Sequence, residues 1–169
     1  MNALLRLFVF VCVLAPLALN AAEPREIRKN WFNDPFLQVR DDIKNCPAPR
    51  GPRITEKERI RSGHIRAESG NSCYLAGRCT RPNSFLYDPD IADAVYRLFT
   101  QSDDFKPTTL WITVQARMIW VEGCAPADFD DRSVERFLKN IPDVSFIIVN
   151  VTHGKDKPAY PVFDPAVDR

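Results

Sequence analysis

The stretch Leu110-Trp-Ile-Thr-Val-Gln-Ala-Arg-Met-Ile-Trp-Val-Glu-Gly123 decides the fold class. Leu110 to Gln115 and Met118 to Glu122 are built from β-branched, aromatic and apolar residues, the types that suit a pleated, half-buried surface. Only Ala116 and Arg117 separate the two runs, which implies a β-hairpin. Two-residue turns ordinarily use Gly or Asn to reach positive φ, so this turn is chemically unusual. Gly123 ends the second strand.

Upstream, Asp88 is placed to cap a helix with Pro89 at its first position, where the missing N–H costs nothing. Ile91, Ala94, Val95, Leu98 and Phe99 recur at helical spacing and form one apolar face. Ser102 to Pro107 is a polar loop. Downstream, Asp128, Asp130 and Asp131 stand where a helix amino terminus favours acidic residues. Val134, Phe137, Leu138 and Ile141 continue that helix, and Pro142 stops it. Val144 to Val151 is a continuous β-rich run suited to a well-covered strand. The expected fold class is therefore α+β: a small α-β-β-α-β sandwich over 85–153, with two helices on one face of a three-stranded sheet.

The amino terminus has a different character. Met1 to Arg6 carries one positive charge, Leu7 to Leu19 is apolar around Pro16, and Asn20-Ala21-Ala22 closes the run with small residues. These are the parts of a secretory signal peptide over 1–21. Glu23, Pro24 and Arg25 end it before the roughly 20 apolar residues of a membrane span. The chain is thus expected to be exported, to the periplasm or, as the alternative, to the medium. Cys12 leaves with the signal, and Cys46, Cys73, Cys79 and Cys124 remain. Four cysteines in an oxidising compartment form two disulfides. Three pairings are possible; in one of them Cys73 and Cys79 close the short loop between them.

Residues 22–84 show no sustained period and are expected to form an irregular extension stapled by these cystines. Cys46 to Arg53 holds three prolines. Trp31, Phe32, Phe36 and Leu37 are candidates to pack on the domain, with a short amphipathic helix over Pro35 to Lys44 as an option. The tail 154–169, rich in Pro, Asp and Lys, is expected to be loose. Charge is divided unevenly along the chain. Glu23 to Arg81 holds 13 Lys and Arg against 8 Asp and Glu, and Pro82 to Arg169 holds 9 against 14. The basic segment is suited to docking on the acidic domain or to meeting an anionic lipid or polymer, and a plain solvated loop is the simplest alternative. Nucleic acid is excluded as a partner by export and modest charge.

Signs of chemistry are sparse. No C-x-x-C pair occurs, and His64 and His153 lie at no ligand spacing, so neither metal nor cofactor is expected. Asp128, Asp130 and Asp131 lack the Gly and distal Glu of a calcium loop. Asp103 and Asp104 belong to a solvated loop. Cys79 with His64, or Cys124 with His153, would be the thiol and base of a nucleophilic enzyme. Disulfide formation is the stronger claim on both thiols.

The helix start Asp90-Ile91, the hairpin ending Val121-Glu122-Gly123, and Ile141-Pro142-Asp143-Val144 leading into Phe146 to Val151 resemble the BON domain of bacterial envelope proteins. The likeness covers Asp88 to Val151. Ala116-Arg117 and Pro142 depart from the glycines common at those places in the family. The resemblance implies a non-enzymatic periplasmic module that binds anionic phospholipid or another envelope surface, with peripheral membrane contact. It also fits, as the alternative, a structural or accessory subunit of an envelope or secretion assembly, whose partners would be envelope proteins. An exported hydrolase is a third reading. The residues expected to face lipid or a partner are Tyr96, Arg97 and Phe99 on or beside the first helix, and Trp120 on the hairpin. The competing expectation is that Phe99 and one or both hairpin tryptophans are core.

Overall fold

A computed structural model describes residues 25–169. The signal peptide expected over 1–21, with Cys12, lies outside these residues. In chain order the elements are β1 (Arg28–Lys29), β2 (Phe36–Asp41), β3 (Ile54–Thr55), α1 (Glu56–Glu68), α2 (Asn71–Leu75), a 3-10 turn (Ser84–Tyr87), α3 (Asp88–Thr100), β4 (Thr109–Gln115), β5 (Met118–Ala125), α4 (Asp131–Leu138) and β6 (Phe146–His153). The fold is α+β.

The hairpin forms where its composition places it, with Gln115 opposite Met118 and Thr109 opposite Cys124. Ala116 and Arg117 both adopt positive φ, 51° and 68°. A side chain in that region costs about 1–2 kcal/mol, and Asp88 supplies the compensation. Its two carboxylate oxygens accept the Ala116 and Arg117 amides at 2.8 Å each. Asp88 is therefore not the helix cap that its place before Pro89 suggested. The 3-10 turn runs straight into α3, so no extended residue is needed there, and the carboxylate turns to the hairpin instead.

Helix α4 carries the chain from β5 to β6, which lies parallel to β5 along its whole length. Asp130 caps α4 by accepting the Arg132 amide, as its position predicted. One face of the sheet presents Leu110, Ile112, Val114, Ile119, Val121 and Val151 to Ile91, Val95 and Phe99 of α3 and Val134 and Leu138 of α4. Gly123 is obligatory in this layer. Its φ is +148°, and an added Cβ would stand 2.0 Å from the Thr109 carbonyl oxygen.

The order helix, strand, strand, helix, strand is thus present over 88–153, but the sheet has four strands, in the order β2-β4-β5-β6. The fourth comes from the extension. β2 pairs antiparallel with β4, because Leu37 and Val39 supply apolar contacts to the same core layer that α3 covers. No helix forms over 35–44. A bulge between Gln38 and Arg40 turns Arg40 toward the carboxyl end of α3. There its guanidinium donates to the carbonyls of Phe99, Ser102 and Asp104 and lies over the Phe99 ring. A cation on the last carbonyls of a helix is favoured by the helix dipole.

The extension also holds α1 and α2, while 42–53 and 76–83 are irregular as expected. Thr55 and Glu58 make a reciprocal capping box that starts α1. The tail is not loose: Tyr160, Val167 and Asp168 are buried. The Arg28 amide donates to the Val167 carbonyl and the Phe163 amide to that of Ala48, while the Arg28 guanidinium pairs with Asp168. Extension and tail together cover the sheet face that the helices leave open. The cystines are Cys46–Cys124, which ties the extension to β5, and Cys73–Cys79, which closes a local loop after α1.

The sequence separations of 78 and 6 residues make the two cystines unequal. In the loop-entropy account, losing Cys46–Cys124 costs about 4–5 kcal/mol and losing Cys73–Cys79 about 2. Urea denaturation of the two double Cys→Ala variants checks the order, and thiol titration should find no free thiol at Cys46, Cys73, Cys79 or Cys124. A second expectation concerns pH. Burial raises the Asp88 carboxyl from the usual 3.8 to about 6, against the pull of its two amide hydrogen bonds. The folded state then holds that proton more tightly than the unfolded state, so this contribution to stability falls as pH rises from about 4 through about 6. Asp88→Ala removes that slope and costs about 1–3 kcal/mol by orphaning two turn amides. Unfolding midpoints at a series of pH values measure both.

Candidate functional site

The four residues expected to form a lipid-facing patch do not assemble into one. Phe99 is 1 % exposed and stacks edge-on against Phe137, because it lies on the apolar face of α3 rather than beside it. It belongs to the core, as the competing expectation has it, and not to the surface. Trp120 pairs with Thr113 and Ile148 on the sheet face opposite the helices, so it cannot share a surface with α3. Tyr96 and Arg97 are exposed on α3, and Arg97 lines a shallow groove between α3 and the end of α4, beside Leu98, Phe137 and Ile141.

The exposed apolar surface lies mainly elsewhere. Ile60, Ile65, Tyr74 and Leu75 stand out from the arm made by α1 and α2, with Leu75 83 % exposed. No residue of α1 is buried. The arm is held at its base by Arg66, whose guanidinium is clasped between the Phe32 and Phe85 rings and paired with the buried Asp34. The Asn83 amide group donates to the Arg66 carbonyl and the Ser84 amide to that of Ser69. Much of the basic charge of the extension is committed within the molecule: Arg59 to Glu56, Arg66 to Asp34, Arg81 to Asp90. Lys57, Arg61 and Arg78 on the arm make no ion pair among the described residues.

A separate concavity of about 150 Å³ opens on the second sheet face, lined by Arg50, Thr113, Gln115, Trp120, Glu122 and Pro161, with Gly51 at its edge. Each wall has a different origin. Thr113, Gln115, Trp120 and Glu122 project from β4 and β5 on the side away from the helices. Arg50 is fixed by the tail, its amide donating to the Pro161 carbonyl at 2.7 Å, and its own carbonyl accepts from the Arg53 guanidinium. Gly51 takes φ +61°, and an added Cβ would meet the Phe36 ring at 2.7 Å, so the loop lies flat on that ring. Burial raises the Glu122 carboxyl above the usual range, and the Arg50 charge opposes that rise. The neighbouring Tyr160 hydroxyl is pushed up to about 12 by burial and by the Glu122 charge.

The acids and histidines considered from sequence are placed plainly. Asp131 and His153 come together, with His153 Nε2 3.2 Å from Asp131 Oδ1. Asp103 pairs with Lys106. Cys79 and Cys124 are both cystine sulfurs, so neither is a free thiol. Among the described residues, no three His, Cys, Asp or Glu side chains gather as a metal site. Neither Glu122 nor Arg50 stands out in the sequence as a functional residue. The available signal was a lone carboxylate within an otherwise apolar strand, two residues before a cysteine. Comparison with protein-family models, curated proteins and solved structures finds no match for this chain.

Proposed function

We propose that this is an exported, non-enzymatic protein of the bacterial cell envelope that binds an anionic phospholipid surface from the periplasmic side. The observation that carries the reading is the arm, where Ile60, Ile65, Tyr74 and Leu75 are exposed beside Lys57, Arg61 and Arg78. Apolar side chains that enter the headgroup region, flanked by cations that meet phosphate, are what an anionic bilayer surface favours. The contact therefore moves from the face first expected to the arm, with Tyr96 and Arg97 as a secondary point on α3. Two cystines fit an oxidising compartment. No helix among the described residues is long and apolar enough to cross a membrane. The helix-strand-strand-helix-strand order over 88–153 supports the BON-like assignment of that unit.

One observation favours a second reading, an accessory subunit of an envelope or secretion assembly. β6 is an outer strand of the sheet, and Phe146 at its start is exposed, an arrangement that accepts an extended segment of a partner protein by strand addition. The hydrolase reading has lost both of its candidate thiols to cystines.

Flotation of the processed protein with phosphatidylcholine vesicles, with and without phosphatidylglycerol, separates the readings. The lipid reading expects co-flotation only with the anionic vesicles, weakened by salt. Each basic residue near such a surface contributes about 1 kcal/mol. Lys57→Ala/Arg61→Ala/Arg78→Ala should therefore reduce binding on the order of a hundredfold, and Leu75→Asp should also reduce it. Absence of flotation at low salt would overturn the lipid reading, as would binding indifferent to these variants.

A further inference from the structure

The cleft on the second sheet face holds two opposite charges that do not satisfy one another. Glu122 is 9 % exposed, and its carboxylate has no hydrogen-bond or ion-pair partner among the described residues. Arg50 lines the same cleft, close enough to act on the Glu122 charge, yet forms no ion pair with it. Its Nε is enclosed and has no partner. Burying the Glu122 charge unpaired is costly. Like the Arg50 Nε, the hydroxyl of Thr113, 5 % exposed, is enclosed without a partner. Native proteins seldom leave buried polar groups unsatisfied, and such groups call for a further partner such as a water, an ion or a ligand.

The groups are also sorted by polarity. The Arg50 guanidinium is a donor suited to a carboxylate. Glu122 is an acceptor suited to an ammonium group. Gln115 adds a second acceptor, because its NH₂ is committed to Asp34, which Arg66 holds in turn, and its carbonyl oxygen is left over. Trp120 supplies an aromatic wall of the kind that attracts a cation. The concavity of about 150 Å³ compares with a protein cavity of roughly 150 Å³ that admits a six-atom ring, and alanine has six non-hydrogen atoms.

We propose that this cleft binds a small zwitterion, a free α-amino acid, with its carboxylate on the Arg50 guanidinium and its ammonium on Glu122, Gln115 and Trp120. The cationic arm and the lipid surface play no part in this recognition, so the two proposals stand or fall separately. The separation of the two charges selects the ligand: an ion pair between Arg50 and Glu122 would close the site, and the ligand stands in for that pair.

The test is a titration of the processed, oxidised protein followed by NMR at the Trp120 indole and the Arg50 and Glu122 amides. L-alanine, D-alanine and glycine are compared with ethylamine, propionate and N-acetylalanine, each of which lacks one of the two charges. Saturable shifts at all three positions are expected with at least one of the amino acids. The single-charge compounds should bind about tenfold more weakly or worse, as should the amino acid to Glu122→Gln and to Arg50→Gln. Spectra of those near-isosteric variants report whether the fold is kept; if one is disturbed, the single-charge compounds on the unaltered protein still decide. Absence of saturable shifts with all three amino acids would overturn the proposal. So would equal binding of ethylamine and alanine, or unchanged binding by a folded Glu122→Gln variant.

Discussion

The Cys46–Cys124 bond is the constraint on which the two-sided architecture depends. A sheet with helices on one face leaves the other face to water unless something covers it. Here the cover is a proline-rich segment with little periodicity of its own and a tail with still less. Neither could bury enough apolar surface alone to offset the entropy of ordering it. The bond anchors the extension to β5, and Tyr160 of the tail packs beside its sulfurs, donating to the Pro47 carbonyl at 2.6 Å. The second layer is therefore one assembly of three chain segments around a covalent link. The cleft charges belong to that link, since Arg50 follows Cys46 by four positions and Glu122 precedes Cys124 by two.

Beneath this layer, the central unit depends on two close fits. Asp88 holds a turn whose residues are poorly suited to it, and Gly123 lets β5 approach the Thr109 carbonyl where a methyl group could not enter. Both couple helix or strand ends to the hairpin and so set the sheet and α3 relative to one another. Arg40 does comparable work at the other end of α3, reaching from the extension to the last carbonyls of the helix. The extension is thus joined to the core by charge as well as by strand pairing.

The hairpin, α3, α4 and β6 were legible because their apolar periods are local and strong. β2 was not, because its partner β4 lies some seventy residues away and a six-residue strand beside Pro35 carries little signal alone. The start of α1 was present as Thr55-x-x-Glu58, a capping box that the surrounding charges obscured. The docking of the tail rests on Tyr160 and on backbone hydrogen bonds that no residue type announces. Phe99 and Trp120 were grouped by their chemistry, and the topology put one in the core and the other on the opposite sheet face. Glu122 was hidden by the regularity of the strand around it, and its meaning comes only from Arg50, which the cystine brings across.

Hydrogen exchange of the oxidised protein tests most directly the claim that extension, sheet and tail form one unit. The informative amides are those of Arg28, Arg50 and Phe163, which donate to Val167, Pro161 and Ala48. They should exchange slowly, with protection approaching that of the β4 and β5 amides, and lose it when the cystines are reduced. Exchange at the rate of an open chain in the oxidised protein, with β4 and β5 still protected, would contradict the account.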